Sequence, residues 1–293
     1  MKTAVLVAAM ILLYTLQSLL CKKYSDYYPG KKTAASPVFT VISGITVVLF
    51  SLALSVFRFS LSPVTALLGL FNALALVGYN TFLIGCAQRG AYSVMMVFSI
   101  AGGIAVPCAV GVIGFDDPLS LPKLLSLLVI FAAVFFVSYR SGEALSKSKL
   151  FLPFCVGLGL CNGAYGALLD IQQRLTGFDE RVEMVALTYL VATAISLVQL
   201  AFRERGETAA AFRQTGRSLF YLAVCSVVVA LAVHVMVYII PLIDVTVLYT
   251  FDNAGVFLCS VVASCIFFRE RLKPFNVVGC VLMCTGLIGT AIF

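Results

Sequence analysis

Apolar runs of about 20 residues alternate with short polar connections along the whole chain. Ten runs can be marked, at about 3–21, 37–57, 64–87, 91–114, 120–139, 150–173, 183–202, 217–240, 245–268 and 275–292. At about 1.5 Å per residue each can cross roughly 30 Å of hydrocarbon as a helix. The pattern predicts an all-α integral membrane protein with ten transmembrane helices.

Composition strengthens that expectation. The chain is 61% hydrophobic and 11% charged, against about 25% charged for soluble domains. Net charge is +7, yet the basic residues sit in the connections, which points to membrane orientation rather than nucleic acid. Of the 20 Lys and Arg, all but Lys2, Arg58, Lys123, Arg174 and Arg181 fall in or beside the connections after spans 1, 3, 5, 7 and 9. Positive-inside logic places that side in the cytoplasm. The expectation is a multi-pass protein of the cell membrane with both termini outside the cytoplasm.

The chain also repeats. Shifted by 153 residues, span 4 falls on span 9: Phe98 meets Phe251, Ala101-Gly102 meets Ala254-Gly255, Phe115 meets Phe268 and Leu119 meets Leu272. A weaker match at 151 pairs Tyr14 with Tyr165 and Lys23 with Arg174. Two halves follow, 1–145 and 146–293, of five spans each. Five is odd, so the second half enters the membrane upside down relative to the first. Charge agrees, because the basic hinge 269–273 corresponds to a segment carrying Asp116 and Asp117. The fold expectation is therefore two inverted five-helix repeats, an arrangement that places a binding site near mid-membrane between them.

Glu270-Arg271-Leu272-Lys273-Pro274, followed by Gly279-Cys280-Val281-Leu282 and Gly286, resembles the ExLxP…GxxLxxxG ending of EamA-type proteins in the drug/metabolite transporter superfamily. The resemblance extends to the ten-span plan. It implies a secondary transporter whose central cavity is lined by spans 1, 3, 4, 6, 8 and 9. Span 1 offers Gln17 where the small multidrug-resistance branch has an acidic residue, which speaks against that branch's mechanism.

Polar positions inside the spans mark candidate cavity residues. An ionisable group at that depth is costly, by at least about 2.5–3.5 kcal/mol on insertion scales. In span 9, Thr246, Tyr249, Asp252, Asn253, Val256 and Ser260 share one face at helical spacing. Asp252 is expected to face the cavity, and Ser260 to join helices. His234 and Asp252 both lie about 10–15 Å from one membrane face on consecutive spans. Their juxtaposition would form a titratable unit able to couple protons to transport. The repeat puts Thr81 opposite His234 and Ser99 opposite Asp252, with Asn80 beside Thr81. Span 1 adds Tyr14 and Gln17, and span 6 adds Asn162 and Tyr165; a tyrosine can hold an ammonium by cation–π attraction. Asp170 and Arg174 are expected to form an ion pair at the end of span 6.

The chain contains one His and ten Cys, with no CxxC, P-loop, GxSxG or HExxH. That speaks against an enzyme, a metal site, a cofactor and direct use of ATP. The expected partners are a small-molecule substrate and membrane lipids, in a monomer or homodimer. The leading reading is alternating-access transport of a small polar metabolite, amino-acid-like or cationic. A channel, a scaffold or a lipid scramblase is the alternative.

Overall fold

The computed structural model describes residues 2–54, 60–138, 148–176, 180–204, 208–243, 245–269 and 273–292. Arg58, Arg140, Lys147, Arg205 and the hinge residues Glu270, Arg271 and Leu272 lie outside the described residues. So do the side chains of Lys2, Arg203, Thr246 and Tyr249.

Eleven α-helices and one short 3₁₀ turn follow one another among the described residues. They are α1 (Lys2–Tyr27), α2 (Ala35–Leu54), α3 (Pro63–Ala87), α4 (Tyr92–Phe115), α5 (Leu121–Ser138), α6 (Phe151–Thr176), α7 (Arg181–Glu204), α8 (Thr208–Ala211), α9 (Gly216–Ile239), α10 (Val245–Phe267) and α11 (Pro274–Ile292). Each apolar run coincides with a helix. Seven of these helices are long and apolar enough to span a membrane, and 121–137, 251–267 and 274–290 form shorter apolar stretches. The chain is thus an all-α, multi-pass membrane protein with seven candidate spans among the described residues. α1 outruns its predicted span by six residues, and in that extension the Lys22 and Lys23 ammonium groups lie over the Phe268 ring, 4.7 and 5.2 Å from its centroid.

Local chemistry sets several helix ends. Ser62 caps α3, accepting from the Thr65 amide at 3.2 Å, and Pro63 follows where no amide donor is needed. The Glu180 carboxylate receives both the Ser62 amide at 3.0 Å and its hydroxyl at 2.6 Å, tying the start of α3 to the start of α7. These hydrogen bonds hold the Glu180 carboxyl below its ordinary value. α4 stops where Asp116 turns left-handed (φ 52°), and α10 stops where Arg269 does the same (φ 52°).

α1 packs on α9 and α10, α2 on α7 and α9, α3 on α6 and α7, α4 on α6, α5 and α10, and α5 on α11. Small residues permit the closest crossing. A Cβ on Gly102 of α4 would strike the Gly159 backbone of α6, and one on Gly163 would strike the Gly102 carbonyl. In lipid, where no hydrophobic effect drives helices together, such close backbone approach is a main source of association.

The two ends of the bundle are packed unequally. Contacts among Lys22, Gly90 and Phe268 place the C-terminal ends of α1 and α10 and the α3–α4 turn at one face, called here the basic face. In α4, Tyr92 to Val97 are all buried, whereas from Gly102 to Phe115 only Gly111 is. In α1, Met10 is the buried residue between Thr3 and Leu13, whereas Cys21 and Tyr24 near the basic face are wholly enclosed.

Candidate functional site

A cavity lies inside the bundle, bordered by eight helices. It offers about 130 Å³ for the centres of water-sized particles, roughly ten times what one water needs on that measure. α1 contributes Tyr14, Gln17 and Ser18, which fall on one face at spacings of three and four. α3 contributes Leu76, Tyr79 and Asn80, and α4 contributes Met96, Ser99, Ile100 and Gly103. From α6 come Asn162, Tyr165, Gly166 and Leu169, and from α10 come Asp252, Asn253 and Val256. Val229, Val233 and Met236 of α9 complete an apolar wall.

Eight of the ten residues singled out in the sequence therefore meet here: Tyr14, Gln17, Asn80, Ser99, Asn162, Tyr165, Asp252 and Asn253. Tyr249 lies on α10, and its side chain is outside the described residues.

His234 is placed elsewhere, which corrects the expected imidazole–carboxylate pair. The cavity face of α9 runs through 229, 233 and 236, and residue 234 is turned about 100° from 233. Its Nδ1 lies 2.7 Å from the Ala230 carbonyl, its Nε2 lies 3.0 Å from the Ser51 hydroxyl of α2, and Phe50 stands beside the ring. A carbonyl can only accept, so Nδ1 carries a proton. Both ring nitrogens are thus engaged away from Asp252.

Polar groups in and beside the cavity are tied largely to protein. Asn80 Nδ2 donates to Thr40 Oγ1 at 3.1 Å, and Asn162 Nδ2 donates to the Ser99 carbonyl at 2.9 Å. The Tyr14 hydroxyl donates to Met236 Sδ at 3.0 Å. At the basic end the Ser18 and Tyr92 hydroxyls share a short hydrogen bond, and Tyr92 also reaches Ser260 Oγ at 3.4 Å. Ser260 thus joins helices, as its place on the stripe suggested. Two buried acceptors differ: Asp252 Oδ1 and Gln17 Oε1 have no hydrogen-bond partner among the described residues.

Some lining residues carried no sequence signal. Phe39 and Ser43 come from α2 and Tyr189 from α7, helices that the family resemblance left out of the cavity. Tyr79 was hidden by its neighbour Asn80. At the end of α6, Arg174 meets Asp170 at 2.9 Å, as expected, but it also meets Asp117 at 2.8 Å and covers the Phe115 ring at 4.6 Å. The hydrogen bonds from Arg174 hold the Asp117 carboxyl below its ordinary value. Among the described residues no group of three or more His, Cys, Asp or Glu side chains is placed to hold a metal ion.

No family model and no curated protein matches the chain. A solved structure described only as "Crystal structure of protein" is similar over 99% of this chain and 98% of its own, with a TM-score of 0.70 at 12% identity. That similarity is one of fold. The chain is a multi-helix membrane protein that shares its architecture, from end to end, with a protein of solved structure.

Proposed function

We propose that the chain is a secondary transporter of the drug/metabolite type, moving a small polar solute by alternating access through the central cavity. The observation that carries the proposal is the cavity itself: a mid-bundle space walled by helices from both halves and containing Asp252, whose Oδ1 is buried with no hydrogen-bond partner among the described residues.

An inverted repeat of two five-helix halves is part of the proposal. It is supported by helix boundaries that recur at the 153-residue shift, α3, α4 and α5 against α9, α10 and α11. Asp116 and Arg269, left-handed at the same φ, are themselves 153 apart. The Arg174–Phe115 contact and the Lys23–Phe268 contact lie at opposite faces between residues that the repeat pairs. Packing follows the same exchange: α1 on α9 mirrors α6 on α3, and α1 on α10 mirrors α6 on α4. On this reading the chain sits in the cell membrane with ten spans, the tightly packed basic face is cytoplasmic, and the cavity opens toward the other side. Coupling through a His234–Asp252 pair is not retained, because Ser51 and Ala230 hold the imidazole.

Counterflow in proteoliposomes tests the proposal. Solute trapped inside should accelerate uptake of the labelled solute, because the loaded carrier reorients in both directions. Uptake indifferent to the trapped solute would indicate a pore and overturn the carrier reading.

A further inference from the structure

We infer that the cavity selects an organic cation, a protonated amine, over amino-acid zwitterions and over anions. The inference deepens the transporter reading and rests on the cavity being the substrate site.

The basis is an imbalance between donors and acceptors. Asp252 lines the cavity, and its Oδ1 is buried with no hydrogen-bond partner among the described residues. Gln17 Oε1, in the wall contributed by α1, is likewise buried and unserved. Of the donors nearby, Asn80 gives an N–H to Thr40, Asn162 gives one to the Ser99 carbonyl, and the Tyr14 hydroxyl donates to Met236 Sδ. No Lys, Arg or His is among the described lining residues. The cavity wall thus holds an acidic group and two buried acceptors that lack partners among the described residues, in surroundings of low dielectric.

An ammonium supplies what is lacking. Its positive charge offsets Asp252, and its N–H groups serve acceptors that otherwise remain unsatisfied. Tyrosines 14, 79, 165 and 189 also line the space, and a tyrosine ring attracts a cation over its face. A carboxylate on the solute adds acceptors where they already exceed donors and adds a like charge near Asp252. A zwitterion therefore gains at its amine and loses at its carboxylate, and an anion only loses.

Two matched sets of compounds separate charge from size. One is 3-methylbutylamine, leucine and 4-methylpentanoate; the other is 2-phenylethylamine, phenylalanine and 3-phenylpropionate. Near neutral pH each set presents a cation, a zwitterion and an anion on one skeleton. Each is titrated calorimetrically into the protein in lipid nanodiscs, with empty nanodiscs as the blank. The amine of at least one set should bind about tenfold or more tightly than its two counterparts. Asp252→Asn should remove that binding, and Asp252→Glu should retain part of it. Where Asp252→Asn does not yield folded protein, the wild type decides the question: dicyclohexylcarbodiimide should label Asp252, and the amine alone should protect it. Equal or tighter binding of a zwitterion or anion, no binding of either amine, amine binding unchanged in Asp252→Asn, or labelling unaffected by the amine would each overturn the inference. Counterflow of leucine with no amine binding would overturn the cation selectivity and leave the carrier reading intact. Amine binding without counterflow would do the reverse.

Discussion

The two ends of the bundle use different chemistry at positions that the proposed repeat relates. At the basic end, Ser18 of α1, Tyr92 of α4 and Ser260 of α10 are joined by hydrogen bonds and buried. The related positions at the other end are Leu169 of α6, which lines the cavity, and Pro107 of α4, which has no amide hydrogen to donate. The trio at the basic end joins three helices through hydroxyl groups, which neither Leu169 nor Pro107 carries. Lateral contacts, by contrast, persist at both ends, with cations over Phe268 at one and over Phe115 at the other. The difference teaches that hydrogen bonding across the axis, rather than contact along the rim, distinguishes the tightly packed end from the other.

The largest expected effect comes from the crossing common to both ends. Gly102→Val should force α4 away from α6, since even a Cβ there would strike the Gly159 backbone. A loss of about 1–3 kcal/mol or more is expected, read as a lowered unfolding midpoint or a failure to accumulate monodisperse protein. Unchanged stability would mean that the helices are not in backbone contact.

Tyr92→Phe sharpens the comparison. It removes the hydroxyl shared with Ser18 and Ser260 but keeps the ring packed on Phe268, 5.2 Å away between centroids. A stability loss of about 0.5–1.5 kcal/mol is expected, together with easier entry of solute from the basic face in proteoliposomes of known orientation. The same loss without a change in access would reduce Tyr92 to a packing residue.

Much of this site was legible in the sequence because its residues are polar inside apolar runs. Asp252, Asn253, Gln17, Asn80 and Asn162 each stand out at a depth where a lone polar group is costly, and helical spacing then groups them by face. Spacing does not say which neighbour a face meets. His234 and Asp252 share a depth, yet His234 is turned toward α2 and its Nε2 lies 3.0 Å from the Ser51 hydroxyl. Ser43 and Tyr189 were missed because serine and tyrosine are common in spans and neither helix carries an ionisable group at that level. The Arg174–Asp117 contact joins residues 57 apart in sequence, and no local pattern announces it.

The smallest effect is expected at the exposed rim. Asp117→Asn removes an ion pair whose side chains are about one-third exposed, at 36% and 35%, so it should cost at most about 1 kcal/mol. Its pH dependence has a definite sign. The folded-state values of Asp117 and Glu180 lie below the ordinary 3.8 and 4.5. Their contribution is therefore fully present above those ordinary values and is lost as pH falls through the lower folded ones. Thermal unfolding followed in acid should lose that slope in part in Asp117→Asn and in Glu180→Gln. An unaltered acid slope in both variants would show that neither tie matters.

Reciprocal movement of the two ends is the central claim, and paired distance measurements test it without a known substrate. Spin labels carried by genetically encoded residues avoid the ten native cysteines. One pair would sit at Lys23 and Arg269 on the basic face, the other at Thr176 and Ile243 on the opposite face. Pulsed electron resonance would compare otherwise native protein with Tyr92→Phe in nanodiscs. The expected result is a longer 23–269 distance accompanied by a shorter 176–243 distance. A longer 23–269 distance with the other unchanged, or with both lengthening together, would contradict alternating access in this fold.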